Sequence, residues 1–269
     1  MTRNEIDLIH ARLNICRTYA EEFGESCKAF EESAVYKTFI EEVAQGGEVI
    51  ATFKIKEVAL IPATLQLQFG TVLHHLRSTC ENLIFGLGID FGVKGIKRLQ
   101  FPVFLGTKDF EQWKNAHVGF PAEVTDILEK LQPFNSYERA NTRYDGVSNC
   151  LYILNQLSNR DKHRMLLMAA LTVSANMFQT REGRGLDGVI RTQFTMGNRV
   201  LEYGTDIGTV LMKHGTSSQD FNFRVTPQIA IKEEPPIPTI IPAVWFLDQC
   251  HDFIKNEVIG GLEPFMTRP

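Results

Sequence analysis

Residues 151–168 read LYILNQLSNRDKHRMLLM, and this stretch carries the most informative pattern in the chain. Five consecutive ionisable residues, RDKHR at positions 160–164, interrupt a run that otherwise has the composition of a buried helix. On a helix, Asp161 falls on the same stripe as Leu154 and Leu157, so its carboxylate points toward the core. A carboxylate in the core destabilises a fold unless it is paired and hydrogen-bonded. The pattern therefore predicts a helix over residues 147–171 and a partner for Asp161 on a neighbouring element.

The composition is ordinary for a globular protein, with 43% hydrophobic and 22% charged residues in a chain of 269. The net charge of −4 argues against broad electrostatic capture of nucleic acid, and the compact basic cluster of Lys94, Lys97 and Arg98 is typical of a solvated loop. The five cysteines form no Cys-x-x-Cys pair, so neither a disulfide framework nor a zinc ribbon is indicated. No apolar segment approaches the roughly 20 residues of a membrane span, and the N-terminus lacks a signal-peptide core. We therefore predict a reduced, soluble, cytoplasmic protein.

The first segment has the repeat of a long amphipathic helix. Thr2 and Glu5 fit a capping box just before it. Such a seam packs lengthwise along another helix, either inside the fold or across a dimer. A helix over residues 242–258 presents a second apolar stripe, and we favour a homodimer because of these two stripes. The seam consists of Ile6, Ile9, Leu13, Cys16, Ala20, Phe23, Cys27 and Phe30.

Hydrophobic periodicity divides the rest of the chain. Residues 48–58 alternate as a half-buried strand. Pro62 suits the first turn of a second long helix, which we expect to end near Gly86 and Gly88. The further predicted elements are, in order, helices over residues 109–115 and 121–131, strands over 172–180, 189–195 and 199–203, a flexible loop over 204–218, and a strand over 221–232.

Helices followed by strands and a closing helix are typical of the α+β class. We predict one domain over residues 1–269, in which a helical bundle with long N-terminal and central helices carries an antiparallel β-sheet from the C-terminal half. The helical part covers residues 1–171 with an early strand at 48–58. The β-rich part covers residues 172–232, and a helix at 242–260 closes the fold.

The second long helix has a polar stripe beside its apolar one. The residues of this stripe follow helical spacing and are His74, Arg77, Ser78 and Glu81. If the helix at 147–171 packs alongside, Asp161 and His163 meet Arg77, His74 or Glu81. An arginine, a histidine and carboxylates would then gather inside the bundle.

Three interpretations of this cluster are open. In the first, Asp161 pairs with Arg77 as a buried clamp that fixes the helix register. In the second, a metal ion is held in the bundle by His74 or His75, Glu81, Asp161 and His163. In the third, the arginine and a histidine contact the phosphate and ribose of a nucleic acid without any metal, and the histidine does acid–base work.

Two phrases occur together: HHLRSTCEN at residues 74–82 and LSNRDKHR at residues 157–164, with FPVF at 101–104 and LQPF at 131–134 between them. Their order resembles a group of uncharacterised bacterial proteins with an N-L-R-S-x-L-D-H-L-type helix, an F-P-I segment, an L-Q-P-Y segment and an N-x-D-K-H-R helix. The likeness covers roughly residues 60–170. It implies no activity.

The first phrase is also similar to the helical HEPN superfamily, whose ribonuclease members carry an arginine and, four to six residues later, a histidine at a dimer interface. Arg77 matches the arginine. Asn82 stands where an Arg-x4-His motif has its histidine, and an asparagine cannot shuttle a proton. The resemblance therefore implies a HEPN-like module without ribonuclease activity of this type.

We expect a HEPN-like module with an Arg/Asp/His polar cluster that is non-catalytic or associated with RNA. The alternatives are a metal-dependent enzyme in a helical bundle and a structural or partner-binding protein. We expect no cofactor and no membrane contact, and RNA and a second copy of the chain are the expected partners. The candidate catalytic residues are Arg77 and His163. The candidate binding residues are His74, Glu81, Asn82, Asn159, Arg160, Asp161, Lys162 and Arg164.

Overall fold

The computed structural model describes residues 1–33, 35–137, 150–164, 168–180, 187–194, 199–232 and 240–266. It has the predicted α+β architecture with a long N-terminal helix. The helices are α1 (Arg3–Glu32), α2 (Ala63–Asp90), α3 (Thr107–Ala116), α4 (Ala122–Lys130), α5 (Pro133–Tyr137), α6 (Cys150–Asp161), α7 (Ala243–Phe253) and α8 (Gly260–Met266). The strands are β1 (Tyr36–Gln45), β2 (Glu48–Val58), β3 (Met168–Thr180), β4 (Val189–Phe194), β5 (Arg199–Val200), β6 (Asp206–Lys213), β7 (Phe221–Ile231) and β8 (Ile241–Pro242).

α1 begins at the predicted capping box. Thr2 Oγ1 accepts a hydrogen bond from the Glu5 backbone N–H (3.3 Å), and Glu5 Oε2 accepts one from the Thr2 backbone N–H (2.7 Å). The two bonds satisfy backbone donors that a helix leaves unpaired at its start. Purely local sequence chemistry therefore sets the first residue of the fold's longest helix.

The apolar seam of α1 packs inside the fold. α1 runs antiparallel along α2, with the rings of Phe23 and Phe69 5.6 Å apart and the Met1 ammonium paired with Asp90. α7 buries its own stripe in the same core. Neither stripe is available to a second copy, so a homodimer no longer follows from them. The buried residues of the seam are Ile9, Leu13, Cys16, Ala20, Phe23 and Cys27.

α2 follows Pro62 as predicted, but it runs on through Gly86 and Gly88 instead of ending there. Both glycines permit close packing. A Cβ on Gly86 would lie 2.7 Å from the Met1 side chain, and one on Gly88 would lie 2.5 Å from Leu99. The predicted helix end is therefore wrong, because these glycines make room for neighbouring side chains. The two predicted shorter helices are present as α3 and α4.

Two antiparallel sheets replace the single predicted sheet, with strand orders β1-β2-β6-β4 and β5-β3-β7-β8. The predicted strands are present as β2, β3, β4, β5 and β7, although β5 is shorter than expected. The prediction missed β1, whose side chains are largely exposed. The flexible loop predicted over residues 204–218 is wrong, because β6 pairs with both β2 and β4. β6 buries Ile207, Val210 and Met212.

α6 is shorter than predicted. It ends at Asp161, and the chain is a strand from Met168 onward, whereas the sequence predicts a helix to residue 171. Met168 lies opposite Ile231 of β7, so pairing within the sheet overrides the helical propensity of these residues. Residues 147–149 and 165–167 of the predicted helix, and residue 195 of a predicted strand, lie outside the described residues.

The closing helix is longer than predicted. α7 continues through a π-helical turn at Ile254–Ile259 directly into α8, so Gly260 begins a helix where the sequence predicts an end. Val258 and Leu262 are fully buried on either side of this glycine. Burial of these apolar side chains stabilises the continuation.

Hydrophobic residues form two clusters, one among the helices and one between the sheets. Phe30, near the end of α1, packs against both. β1 and β2, which precede most of the helices, join a sheet with β6 and β4 of the C-terminal half. The candidate site lies on the helical cluster.

Candidate functional site

A pocket of about 530 Å³ opens between α2, α6 and the extended segment at residues 99–104. Sites for small molecules and cofactors commonly enclose about 300–1,000 Å³. The walls formed by the two helices are polar. α2 contributes His74, Arg77, Ser78 and Glu81, and α6 with the residue after it contributes Asn155, Ser158, Asn159 and Lys162.

Arg77 and Glu81 hold the third wall in place. Arg77 Nη2 lies 2.5 Å from Glu81 Oε1 and donates a hydrogen bond to the Phe101 carbonyl oxygen (2.9 Å). Glu81 Oε2 accepts a hydrogen bond from the Phe101 backbone N–H (2.8 Å). The pair therefore satisfies both polar groups of one backbone residue whose side chain is buried. We call these three residues the Phe101 clamp.

Gln132 holds the same wall from the opposite side. Its side chain is fully buried, and its Oε1 accepts a hydrogen bond from the Phe104 N–H (3.0 Å) while its Nε2 donates to the Pro102 carbonyl (3.0 Å). Buried backbone groups must find partners, and a glutamine that both donates and accepts can serve two of them. The sequence prediction missed this role. The available signal was a polar residue in the otherwise apolar phrase LQPF, shortly after FPVF.

Asp161 lies against α2, but its neighbours there are Gly70 and His74, which precede Arg77 by two turns and by one turn. A Cβ on Gly70 would lie 2.6 Å from both carboxylate oxygens of Asp161, so the absence of a side chain at Gly70 admits this carboxylate. Burial raises the pKa of Asp161, and the nearby His74 partly offsets that shift. The predicted clamp between Asp161 and Arg77 is wrong, because Arg77 is engaged by Glu81 and Phe101.

Several predicted site residues do not line the pocket. His163 is exposed in the turn after α6, where its backbone N–H donates to the Arg160 carbonyl (2.9 Å). Arg164 makes the same backbone contact (2.9 Å), and Asn82 lies on the exposed face of α2. The candidate catalytic residues Arg77 and His163 are therefore not brought together at the pocket. The predicted residues that do line it are His74, Arg77, Glu81, Asn159 and Lys162.

The pocket is cationic in a chain whose net charge is −4. Its charged lining residues are Arg77, Arg98, Lys162 and Glu81, which leaves two net positive charges when His74 is neutral. Glu81 is already paired with Arg77. No carboxylate of the described residues lies within ion-pair distance of Arg98 or Lys162. Arg98 belongs to the basic cluster that the sequence prediction treated as a solvated loop; all three cations are exposed, and Arg98 also lines the pocket, which the sequence did not indicate.

The proposed metal ligands do not converge. His75 packs against the Tyr19 ring of α1 (5.4 Å between centroids), and its pKa is lowered by burial and by its neighbours His74 and Arg12. Within the part of the chain that the structure describes, no three His, Cys, Asp or Glu side chains are arranged to hold a metal ion. Among the same residues, no helix combines the length and the apolar character needed to cross a membrane.

Comparison of the chain with protein-family models, with curated proteins and with solved structures finds no match.

Proposed function

We propose that the pocket binds the sugar–phosphate backbone of single-stranded RNA and that the chain is a non-catalytic, RNA-associated module. One observation supports this proposal above all: a cationic pocket in an acidic chain, with Arg98 and Lys162 both in its lining, from different segments of the chain, and free of carboxylate partners among the described residues. Phosphate contacts by arginine and lysine supply most of the affinity of proteins for nucleic acids. A local positive site on a negative protein would restrict such contacts to one place.

The other polar residues of the pocket suit a ribose and a base. Asn155 and Asn159 lie one helical turn apart on α6, and Ser158 lies between them in sequence with a buried side chain. Amide side chains both donate and accept hydrogen bonds, as ribose hydroxyls and base edges require. This lining supports an arrangement in which Arg98 and Lys162 contact a phosphate and the two asparagines contact the sugar.

The engagement of Arg77 favours binding over cleavage. Metal-free cleavage of RNA needs a cationic group at the phosphate and a proton carrier beside it. Arg77 has its guanidinium committed to the Phe101 clamp, His163 lies away from the pocket, and the histidine that does line the pocket, His74, is hydrogen-bonded to Ser78 one turn along α2. The proposed role for Arg77 is therefore to position the wall.

Fluorescence anisotropy with a short labelled single-stranded RNA tests the proposal. Arg98→Ala and Lys162→Ala should each weaken binding and lower the slope of log affinity against log salt by about 0.7, the value for one lost phosphate contact. Lys97→Ala is the matched control, because Lys97 is an exposed cation next to Arg98 that does not line the pocket. Equal losses from Lys97→Ala and Arg98→Ala would mean that binding is diffuse, and absence of binding by the unaltered protein would refute the proposal.

Gel analysis of the recovered RNA tests the non-catalytic half. Intact RNA is expected after prolonged incubation. Cleavage that is lost in Arg77→Ala would contradict a positioning role for this arginine. Elemental analysis of protein purified without an affinity tag addresses the metal-dependent alternative, because stoichiometric metal would favour that alternative instead.

Three expectations stay predictions: the likeness to the HEPN superfamily, the cytoplasmic location and the homodimer. The homodimer needs a new surface, because the two apolar stripes that suggested it are buried within one chain.

A further inference from the structure

Strand β1 is a long, exposed sheet edge. It has ten residues, pairs with β2 at the end of the order β1-β2-β6-β4, and its residues 41–45 are exposed. Among the described residues, no strand pairs with its outer side. Such an edge is a template for pairing with another chain, and proteins usually cover it or interrupt it.

The hairpin turn shows which backbone groups of β1 point outward. Gly46 and Gly47 both have positive φ (61° and 84°), as a two-residue turn of the primed type requires, and Gln45 pairs with Glu48 across it. In a turn of this kind the backbone groups of Gln45 point toward β2. Because these groups alternate along an antiparallel ladder, those of Thr38 and the other even-numbered residues point to the open edge. The register shift between Lys37 and Thr38 leaves its extra residue, Lys56, on β2, so the alternation along β1 continues.

The side chains of β1 also alternate between two faces. Ile40 packs against the cluster between the sheets. Lys37, Phe39 and Glu41 therefore share the other face, where the Phe39 ring stacks on Tyr203 at 5.7 Å between centroids. Tyr203 is 77% exposed, so this aromatic pair is open to solvent. Lys37, Phe39 and Glu41 thus form a short row of a cation, an aromatic ring and an anion beside the open edge.

We propose that the partner of this edge is β1 of a second copy, paired antiparallel about a two-fold axis at Phe39. In this register the outward groups of Thr38 meet those of Ile40 of the second copy, as a hydrogen-bonded pair requires. Lys37 then lies opposite Glu41 of the second copy, once on each side of the axis. Opposite charges across a strand pair stabilise it, and a two-fold axis doubles the contact.

Neighbouring registers lack this complementarity. An axis at Ile40 places Phe39 opposite Glu41 of the second copy and Lys37 opposite Val43, so that no charges pair. An axis at Glu41 places that carboxylate opposite its own copy, which is repulsive. Lys37 and Glu41 also contact Glu57 (2.7 Å) and Lys54 (2.6 Å) within the chain, and their side chains are 70% and 53% exposed, so both remain able to face a second copy. Of these three registers, the charge pattern favours the one with its axis at Phe39.

A charge-swap experiment tests both the surface and the register by sedimentation velocity. The unaltered protein is expected to dimerise, whereas Lys37→Glu and Glu41→Lys should each be monomeric, because each places like charges opposite one another twice. An equimolar mixture of the two variants should restore a dimer, because both cross-strand pairs are then attractive. Matching circular dichroism spectra would establish that each variant is folded.

Two proline variants separate edge pairing from simple charge effects. Thr38→Pro removes an outward donor inside the proposed register and should abolish the dimer, since proline is tolerated only where its missing N–H faces away from the ladder. Ala44→Pro changes an equivalent outward group beyond the paired stretch and should leave the dimer intact. A monomeric unaltered protein, a dimeric single charge variant, or a mixture that stays monomeric would each overturn the proposal. None of these outcomes bears on RNA binding, because no residue of β1 lines the pocket.

Discussion

Removal of the Glu81 side chain should lower the free energy of unfolding by more than is usual for one member of an i,i+4 ion pair on a helix. In Glu81→Ala, Arg77 loses a charge-assisted hydrogen bond and the backbone N–H of Phe101 loses its acceptor. A hydrogen bond to a charged group contributes about 1.5–3 kcal/mol, and a buried donor left unpaired costs about 1–3 kcal/mol. The Glu81 side chain is 29% exposed, so water can replace part of these contacts. We expect the free energy of unfolding to fall by about 2–4 kcal/mol.

The chain contains a matched control for this variant. Arg17 and Glu21 have the same residue types, order and spacing as Arg77 and Glu81, and their side chains lie 2.9 Å apart. They are 43% and 61% exposed, and within the described part of the chain Glu21 accepts no backbone hydrogen bond from a distant segment. Glu21→Ala should therefore cost no more than about 0.5 kcal/mol, as is usual for exposed pairs on one helix.

Urea unfolding followed by circular dichroism and by tryptophan fluorescence measures both variants. Coincidence of the two signals would justify a two-state treatment for a chain of this size. Glu81→Gln should fall between the unaltered protein and Glu81→Ala, because its amide oxygen can still accept from Phe101 but its charge is lost. If Glu81→Ala costs no more than Glu21→Ala, the Phe101 clamp does not stabilise the pocket wall and the reasoning fails.

Three further variants probe the surroundings of the pocket. Because burial raises the pKa of Asp161, its ionisation opposes folding, so Asp161→Asn should be at least as stable as the unaltered protein near pH 7, and the advantage should vanish in thermal unfolding below pH 3.8. Gly70→Ala gains about 1 kcal/mol of helix propensity but loses about 1–3 kcal/mol by overlap with that carboxylate, and the double variant with Asp161→Ala should recover the loss in urea unfolding. Gln132→Leu leaves backbone groups of Pro102 and Phe104 unpaired and should lower stability by about 2–4 kcal/mol in the same assay, whereas an unchanged midpoint would mean that water replaces the amide.

The features that the sequence predicts well are those set by local chemistry. The capping box of Thr2 and Glu5 involves residues three apart, and the seam of α1 depends only on helical spacing. Pro62 likewise marks the start of α2 through its own restricted backbone. None of these features needs information about what the helix packs against.

The errors arise where a distant segment decides the outcome. β1 and β6 have weak patterns of their own, and β6 is stabilised by pairing with strands on both sides. The helix-favouring residues after Met168 become a strand because β7 is available as a partner. Gly88 continues a helix because Leu99 needs the space. The spacing of residues within one segment gives no information about such neighbours.

The candidate site shows the same division. Sequence spacing identified the polar face of α2 and the presence of polar groups on α6, and the structure brings these two faces to one pocket. The spacing of Arg77 and Glu81 allows the ion pair that the structure shows, but it could not identify the backbone of Phe101 as their common partner, because a backbone group has no side-chain signal. Arg98 was missed for a related reason. Its place in the pocket lining depends on how the segment after α2 folds back against that helix.

Three of the four phrases singled out in the sequence therefore have a structural role that is separate from ligand binding. HHLRSTCEN supplies Arg77 and Glu81, LQPF supplies Gln132, and FPVF is the backbone that these side chains hold. A buried extended segment has no helix or sheet ladder to satisfy its polar groups, so it needs such side chains to remain in place. The cation Arg98 lies outside all four phrases, and Lys162 lies within the last one. Loss of the Phe101 clamp should thus change the shape of the pocket, whereas loss of Arg98 should change its charge while the wall stays where it is.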